Sequence, residues 1–192
     1  MSNLTEEYWS NRYLNDQTGW DVGGVSTPLK EYFDQLTDKN LRILIPGCGN
    51  GHEAEYLWSK GFTHVFVVDI SKIPLKQLAA RNSGLATQYF LHADFFDLSM
   101  TFDLIVEQTF FCAISPNLRL SYAKKASSLL RDGGKLIGVL FNREFEGGPP
   151  FGGNRDEYIT YFKGQFSSIY MGDCINSIKP RQEAELFMIC KK

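Results

Sequence analysis

The sequence lacks any apolar run long enough to cross a membrane, and its N-terminal stretch, MSNLTEEYWSNRYLN, lacks the apolar core of a signal peptide. It also lacks a surplus of positive charge, since the formal net charge is −2 at pH 7. Proteins that bind nucleic acid usually carry a basic patch, and no polybasic run is present here. We therefore expect a cytoplasmic protein with neither a membrane nor a nucleic-acid partner.

Cysteine is scarce and scattered. The four cysteines, at positions 48, 112, 174 and 190, show no C-x-x-C spacing and do not cluster with the three histidines. We interpret them as reduced, buried small residues and expect no metal site. Internal repeats and low-complexity segments are also missing, and 192 residues with 43% hydrophobic composition are enough for one sizeable core. The sequence predicts a single domain over residues 1–192, which we expect to be a monomer.

The stretch LRILIPGCGNGHE, residues 41–53, places an apolar run directly before three glycines at every second position. The apolar run predicts a buried strand and the following EAEYLWSKG has helical spacing, so the glycines occupy a strand-to-helix turn. Glycine there lets backbone N–H groups approach a ligand, and the helix N-terminus adds positive charge. His52 replaces the third glycine of the dinucleotide fingerprint, and the Gly-Lys-Ser/Thr of a P-loop is missing. A nucleotide-like ligand is favoured, with an NAD-dependent enzyme as a weaker alternative.

Acidic residues follow two further predicted strands. Asp69 ends THVFVVD, where its carboxylate could accept hydrogen bonds from ribose hydroxyls, and Asp94 with Phe95 follows QYFLHA, where the pair could contact adenine. Structural alternatives exist, because the glycine turn could serve the fold alone, Asp69 could cap a helix near Ile73 and Asp94 could be a turn residue. Their order at the carboxyl ends of successive strands favours a ligand site. Together they indicate an adenosine ligand without a pyrophosphate, of which S-adenosylmethionine is the commonest.

Strand and helix patterns alternate from residue 41 onward, which predicts a parallel, doubly wound α/β sheet. The C-terminal runs QFSSIYMG and EAELFMIC have no helical pattern between them, which predicts an antiparallel hairpin. The predicted helices cover about residues 6–14, 28–36, 53–60, 74–81, 117–133 and 156–162, and the strands before the hairpin end near residues 46, 69, 94, 108 and 141.

Six motifs are distinctive in combination: WSNRYLNDQTGWD, VSTPL, LIPGCGNGHE, VVDIS, FDLIVEQTFFCAI followed by P-x-x-R, and EGGPPF, which ends near Phe151. Together they resemble the thiopurine methyltransferase-like family of class I S-adenosylmethionine-dependent methyltransferases, and its halide/thiol (thiocyanate) branch in particular. The resemblance implies a Rossmann-like, seven-stranded class I methyltransferase sheet with a C-terminal antiparallel hairpin in residues 41–192. It also implies a helical lid in residues 1–40 and S-adenosylmethionine as the cofactor.

The resemblance further implies which residues bind the cofactor. Aromatic residues of the lid would fold over it, although Trp9 and Tyr13, four apart on one helix face, could instead pack on the core. Gln108 departs from the family pattern, because the halide branch has an aromatic residue there and the thiopurine branch an arginine. The complete implied set is Trp9, Tyr13, Trp20, Gly47, Gly49, Asp69, Ile70, Asp94, Phe95 and Gln108.

The implied reaction transfers a methyl group to a small soft nucleophile: a thiol, thiocyanate, hydrosulfide or halide, or a thiopurine. Arg181 would hold an anionic nucleophile, unless it is a solvated charge beside Pro180, and Phe111 would bind the substrate. No metal or catalytic residue is implied, since the cofactor carries its own leaving group. Two alternatives stay open: a small-molecule O- or N-methyltransferase with Glu107 or His52 as general base, and a sensor that binds S-adenosylmethionine or its product without turnover.

Overall fold

The computed structural model describes residues 4–192, so the first three residues of the predicted domain lie outside it. Within these residues, one seven-stranded sheet is formed by β1 (Arg42–Pro46), β2 (His64–Asp69), β3 (Phe90–His92), β4 (Phe102–Gln108), β5 (Leu130–Phe141), β6 (Ser168–Asp173) and β7 (Glu185–Lys191). The strand order is β3-β2-β1-β4-β5-β7-β6. Strand β7 is antiparallel to both of its neighbours, and the other pairs are parallel. The predicted α/β sheet with a C-terminal antiparallel hairpin is confirmed.

Helices cover both faces of this sheet. They are α1 (Glu6–Leu14), α2 (Thr27–Asp34), α3 (His52–Ser59), α4 (Lys72–Arg81), α5 (Arg119–Leu129) and α6 (Arg155–Phe162). In β1, Leu44 belongs to the hydrophobic cluster that contains Tyr122 of α5, whereas Ile43 and Ile45 belong to the cluster that contains Leu57 of α3. A central parallel strand buried on both faces is therefore apolar at successive positions. No helix within residues 4–192 has the length and apolar character needed to span a membrane.

Two element boundaries differ from the sequence-based prediction. Helix α5 ends at Leu129 instead of continuing to Gly133, because Leu130 already pairs with Phe102 of β4 before the register shifts. Strand β3 ends at His92, earlier than predicted, since the chain turns there toward a short 3-10 helix at Phe95–Asp97. Both differences arise from pairing and turn formation that hydrophobic periodicity does not report.

Helix α1 is attached to the carboxyl edge of the sheet by polar contacts. Ser10 Oγ lies 2.8 Å from Ser71 Oγ, and Glu6 Oε1 lies 3.0 Å from His92 Nε2. None of the residues of α1 is buried. The helix therefore covers the edge of the sheet without contributing to either hydrophobic core.

Candidate active site

A cavity of about 970 Å³ opens at the carboxyl edge of the sheet, bounded by the ends of β2, the segment after β4 and the aromatic residues of α1. Strands β1 and β4 are neighbours there, and the chain order reverses between them, which makes this edge a topological switch point. Small-molecule sites typically measure about 300–1,000 Å³. The cavity is therefore large enough for a nucleoside-sized cofactor together with a small second reactant.

The glycine loop after β1 approaches two aromatic side chains closely. Gly47 has a left-handed φ of +56°, and a Cβ at this position would lie 2.3 Å from Cδ2 of Phe110. Gly49 is also left-handed, and a Cβ there would lie 3.2 Å from Oη of Tyr13. The loop can pass this close to the rings because glycine has no side chain and tolerates positive φ.

Asp69, at the end of β2, is held between two backbone amides. Its Oδ1 accepts a hydrogen bond from the amide of Ser71 at 2.8 Å, and its Oδ2 accepts one from the amide of Gly49 at 3.2 Å. Burial raises the pKa of Asp69 to about 6, against the opposing effect of these two hydrogen bonds. Asp69 does not cap α4, because Ser71 Oγ accepts from the amide of Ile73 instead. The helix-cap alternative is therefore wrong, and the carboxylate is directed to the cavity.

The aromatic residues near the N-terminus form one group on the cavity wall. The ring centroid of Trp20 lies 5.6 Å from that of Trp9 and 5.7 Å from that of Tyr13, both in edge-to-face geometry. All three side chains line the cavity and none belongs to a hydrophobic core cluster. Burial and the nearby carboxylate of Asp69 raise the pKa of Tyr13 above its usual range, so its hydroxyl stays neutral. The alternative that Trp9 and Tyr13 merely pack on the core is wrong.

Asp94 and Phe95 line the same cavity. The Oδ1 atom of Asp94 accepts a hydrogen bond from the amide of Phe96 at 2.9 Å and so caps the short 3-10 helix that follows β3. Phe95 is buried against Phe110, with ring centroids 5.5 Å apart. Asp94 thus has the turn role that its residue type favours, and it also borders the cavity.

The structure brings most of the predicted cofactor residues together. Those that line the cavity are Trp9, Tyr13, Trp20, Gly47, Asp69, Ile70, Asp94 and Phe95. Gly49 and Gln108 instead line a smaller adjoining recess, where the Oγ atom of Ser26 donates to Oε1 of Gln108 at 3.5 Å. The amide side chain that departs from the family pattern therefore does not line the main cavity.

Phe111 needs a correction. It is only 1% exposed, packs in the core against Tyr122 and Tyr158, and does not line the cavity. Its neighbour Phe110 lines the cavity instead. The reason is packing between distant elements, because the ring of Phe111 lies between those of Tyr122 in α5 and Tyr158 in α6, where it is removed from water.

Arg181 lines the cavity and is firmly held. Its Nη2 donates to the carbonyl oxygen of Trp20 at 2.7 Å, and its Nη1 donates to Oε1 of Glu185 at 3.3 Å. The side chain is 11% exposed, and its guanidinium carbon lies 5.3 Å from the ring centroid of Phe141. The alternative of a solvated charge is wrong. Arg181 connects the segment after α1 to the start of β7.

The two groups considered as general bases do not face the cavity. Glu107 is fully buried, its Oε1 accepts from the amide of Phe111 at 2.8 Å, and its Oε2 accepts from the hydroxyl of Tyr122 at 2.7 Å. His52 lies in the smaller recess, with Nε2 2.8 Å from Oδ1 of Asp21. Both side chains already have partners that account for their positions.

Sequence analysis missed several residues that line the cavity. Two further arginines line it: Arg12, one position before Tyr13 in the first motif, and Arg143, just after the carboxyl end of β5. The apolar lining residues that it missed include Ala113, Ile114, Leu118, Phe141, Phe145, Pro149 and Pro150. The rule that ligands bind at the carboxyl ends of strands could have indicated Arg143, and the motif EGGPPF contains the two prolines.

The sheet order, the antiparallel β7 and the cavity over the glycine loop and Asp69 define a class I S-adenosylmethionine-dependent methyltransferase. A solved example is the 1,6-didemethyltoxoflavin-N1-methyltransferase of Burkholderia thailandensis with bound S-adenosylhomocysteine. It superposes with a TM-score of 0.75 at 16% sequence identity, over 97% of this chain and 86% of that one. This likeness shows the shared fold.

Sequence similarity identifies the family. The family model described as thiopurine S-methyltransferase (TPMT) matches residues 4–188. The probable thiol methyltransferase 2 of Arabidopsis thaliana is 34% identical over 164 residues, which is 82% of this chain and 72% of that protein. Thiocyanate methyltransferase 1 of Brassica oleracea is 34% identical over 154 residues, 77% of this chain and 68% of that protein. The chain belongs to the thiopurine S-methyltransferase family and is a methyltransferase whose cofactor is S-adenosylmethionine.

Proposed function

We propose that this enzyme methylates a small soft nucleophile that reaches the cavity as an anion: a thiolate, hydrosulfide, thiocyanate or halide, or a thiopurine. The observation that carries the proposal is the chemistry of the cavity wall. Among the described residues that line it, the cations are Arg12, Arg143 and Arg181, the acids are Asp69 and Asp94, and there is no histidine, lysine or glutamate. Arginines in the cavity wall attract an anion, and an anionic nucleophile needs no general base.

The residues present fit S-adenosylmethionine. Each carboxylate oxygen of Asp69 accepts one backbone hydrogen bond and keeps a lone pair that can accept a ribose hydroxyl. Asp94 and Phe95 offer an acceptor and a ring face for adenine, and Ile70 adds an apolar contact beside Asp69. The left-handed turn at Gly47 leaves backbone at the cavity wall, as a close ligand contact requires.

The aromatic group Trp9, Tyr13 and Trp20 provides the second part of the cofactor site. When bound, S-adenosylmethionine supplies an electrophilic methyl carbon and its own leaving group. Aromatic faces stabilise a nearby sulfonium cation and exclude water from the cavity. In this proposal the chain itself contributes alignment, desolvation and a field that favours the anion, and none of its side chains exchanges a proton with the acceptor.

The structure gives little support to an O- or N-methyltransferase. Neutral alcohols and amines usually need a base near the methyl group. Glu107 and His52, the two candidates, lie outside the cavity and are engaged by other side chains. The arginines and the apolar wall that adjoin the cofactor residues also argue against a sensor, because a sensor has no use for a second reactant site.

We extend the proposal to the chain as one domain, residues 1–192, in which residues 1–40 act as the helical lid over residues 41–192. The hydrogen bond from Arg181 to the carbonyl of Trp20 supports this, because it attaches the lid to the C-terminal hairpin. Ser10 and Glu6 attach the lid helix to the residues after β2 and in β3. The cytoplasmic location, the monomeric state and the lack of nucleic-acid partners stay predictions.

The test is the formation of S-adenosylhomocysteine by the purified protein with a panel of acceptors. Hydrosulfide, thiocyanate, iodide, thiophenol and 6-mercaptopurine represent the proposed class, and catechol and benzylamine serve as O- and N-acceptors. We expect saturable turnover with one or more of the first group and none with the second. Turnover confined to catechol or benzylamine would support the O- or N-methyltransferase alternative. Binding of S-adenosylmethionine without turnover of any acceptor would support the sensor.

A further inference from the structure

Arg119, the first residue of α5, is a buried cation outside the cavity. Its side chain is 1% exposed and it is among the largest fully buried residues of the described chain. Ionised side chains are rarely buried without a specific set of partners, because removing a charge from water is unfavourable. The partners of Arg119 therefore indicate what it does.

Those partners belong to two different segments. Nη1 of Arg119 donates to Oε1 of Glu157 in α6 at 2.9 Å. Nη2 donates to two consecutive backbone carbonyl oxygens, of Phe151 at 3.0 Å and of Gly152 at 2.8 Å. The planar fork of the guanidinium suits this arrangement, since it can donate to several acceptors at fixed angles. Arg119 thus connects the start of α5, the loop before α6 and α6 itself.

The loop that Arg119 holds forms part of the cavity wall. The amide of Phe151 donates to the carbonyl of Cys112 at 2.7 Å, and the amide of Gly153 donates to the carbonyl of Arg143 at 3.0 Å. Cys112 and Arg143 line the cavity, as do Pro149 and Pro150 in the same loop. Three cavity-lining segments therefore meet at this short stretch of backbone, and Arg119 binds the carbonyls of two of its residues, Phe151 and Gly152.

The guanidinium is also confined from its sides. Its central carbon lies 4.9 Å from the ring centroid of Phe111 and 5.4 Å from that of Tyr158. Both rings are buried, and Tyr158 is itself anchored by donation to the carbonyl of Phe141 at 2.9 Å. Aromatic faces on the cation and three hydrogen bonds leave it little freedom to move. Because the guanidinium is held in place, its hydrogen bonds also fix the backbone of the loop at Phe151 and Gly152.

We propose that Arg119 is a positioning residue for the acceptor side of the active site. It lies outside the cavity and fixes the loop around Phe151 and Gly152, in which Pro149 and Pro150 line the cavity. The proposal rests on the proposed function in one respect, namely that the molecule bound beside Pro149 and Pro150 is the methyl acceptor. The cofactor residues Asp69 and Asp94 lie on other segments. Arg119 therefore influences acceptor binding without influencing cofactor binding.

The experiment compares the full chain carrying Arg119→Lys with the wild type. Lysine keeps the charge and can reach Glu157, but it cannot reproduce the fork that also holds two carbonyls. Arg155→Lys is the matched control. Arg155 of α6 also pairs with a carboxylate, that of Asp173, and both Arg119 and Arg155 have a buried Nε without a partner among the described residues. Arg155 does not line the cavity.

Three readouts separate positioning from general support of the fold. In Arg119→Lys, hydrogen exchange at the amides of Phe151 and Gly153 should accelerate by about tenfold or more, as local opening becomes easier. The Kd for S-adenosylhomocysteine should stay within about twofold of the wild type, and the KM for hydrosulfide should rise by about tenfold with kcat within about threefold. Arg155→Lys should leave all three quantities within about twofold.

The results that overturn the proposal differ from those that overturn the function. Unchanged exchange at Phe151 and Gly153, or an equal loss of S-adenosylhomocysteine affinity and acceptor affinity, would overturn the positioning role. If the wild type methylates no soft nucleophile, the proposed function fails, and the exchange and cofactor-binding readouts still decide whether Arg119 anchors the loop. If Arg119→Lys does not fold, Glu157→Gln tests the same connection, with an expected rise in exchange of about threefold.

Discussion

The carboxylate of Asp69 accepts a hydrogen bond from the amide of Gly49 at 3.2 Å, which joins the end of β2 to the glycine loop after β1. The amide of Ser71 holds the other carboxylate oxygen at 2.8 Å. These contacts orient the carboxylate before any ligand arrives. Preorganisation of this kind reduces the cost of binding, because no rotamer has to be ordered on association.

Asp69→Asn should weaken binding of S-adenosylmethionine by about tenfold or more, because an amide nitrogen cannot accept the amide hydrogen of Gly49 and a ribose hydroxyl. Isothermal titration calorimetry measures the effect. Asp103→Asn is the control, since Asp103 also accepts a backbone amide hydrogen, that of Arg42 at 2.7 Å, but does not line the cavity. Equal affinity in Asp69→Asn and the wild type would contradict the assignment of the ribose to Asp69.

The raised pKa of Asp69 also makes the free energy of unfolding depend on pH. Because the pKa is about 6 in the fold and near 3.9 in an unfolded chain, the folded state binds more protons between these values. The contribution of Asp69 to the free energy of unfolding therefore falls as pH rises from about 4 to 6, by ~3 kcal/mol at most. Urea unfolding should show that the difference between Asp69→Asn and the wild type changes across this window and is constant above it.

Gly47→Ala should abolish cofactor binding and lower the free energy of unfolding by more than the ~1–2 kcal/mol expected for a left-handed alanine. The added Cβ would lie 2.3 Å from Cδ2 of Phe110, so the ring or the loop has to move. Gly133→Ala is the matched control, because Gly133 has a φ of +76° with nothing within 4 Å of its Cβ position. Unfolding and calorimetry of both variants separate backbone strain from the close contact. Equal behaviour of the two variants would contradict the role of the contact.

Binding of S-adenosylhomocysteine should change the tryptophan fluorescence through Trp9 and Trp20 alone. Both rings line the cavity, whereas Trp58 packs against Phe90, with ring centroids 5.6 Å apart. We expect Trp58→Phe to keep the response and Trp9→Phe combined with Trp20→Phe to lose about nine-tenths of it, because indole emission reports its immediate surroundings. A response that disappears in Trp58→Phe instead would place the ligand elsewhere.

Glu107→Gln should stabilise the protein at pH 8 without reducing its activity. Burial raises the pKa of Glu107 to about 7, so its ionised form is disfavoured in the fold at higher pH. Glutamine can accept from the amide of Phe111 and donate to the hydroxyl of Tyr122, so we expect a gain of ~2 kcal/mol at pH 8 that disappears as pH falls toward about 4.5. Urea unfolding and the rate of S-adenosylhomocysteine formation test this. A large loss of rate at unchanged stability would indicate a general base.

Local sequence patterns were sufficient for the order of elements and for the positions of Gly47 and Asp69 at the edge of the sheet. The apolar run before Gly47 indicated a buried strand, and Asp69 was expected at the end of the next strand, as the structure shows. In a parallel sheet, residues at the carboxyl ends of strands converge at one edge. Strand ends and glycine turns are local features, so a single sequence reveals them.

The rest of the cavity wall depended on contacts between distant parts of the chain. Phe111 and Phe110 are indistinguishable in sequence, and only the folded structure shows that Phe110 lines the cavity whereas Phe111 is buried in the core. The motif P-x-x-R ends in Arg119, but the burial of that residue and its contact with the carbonyls of Phe151 and Gly152 require α5 and α6 to pack together.

The sequence by itself therefore determined the class of fold and the position of Asp69, because strand ends and turns depend on neighbouring residues, and its resemblance to a family supplied the cofactor. Only the tertiary structure decided which other side chains line the cavity, how Arg181 contacts the segment after α1 and that Glu107 is internal. Those outcomes depend on packing between residues far apart in the chain, as in the contact of Arg181 with Trp20, and no local periodicity encodes them.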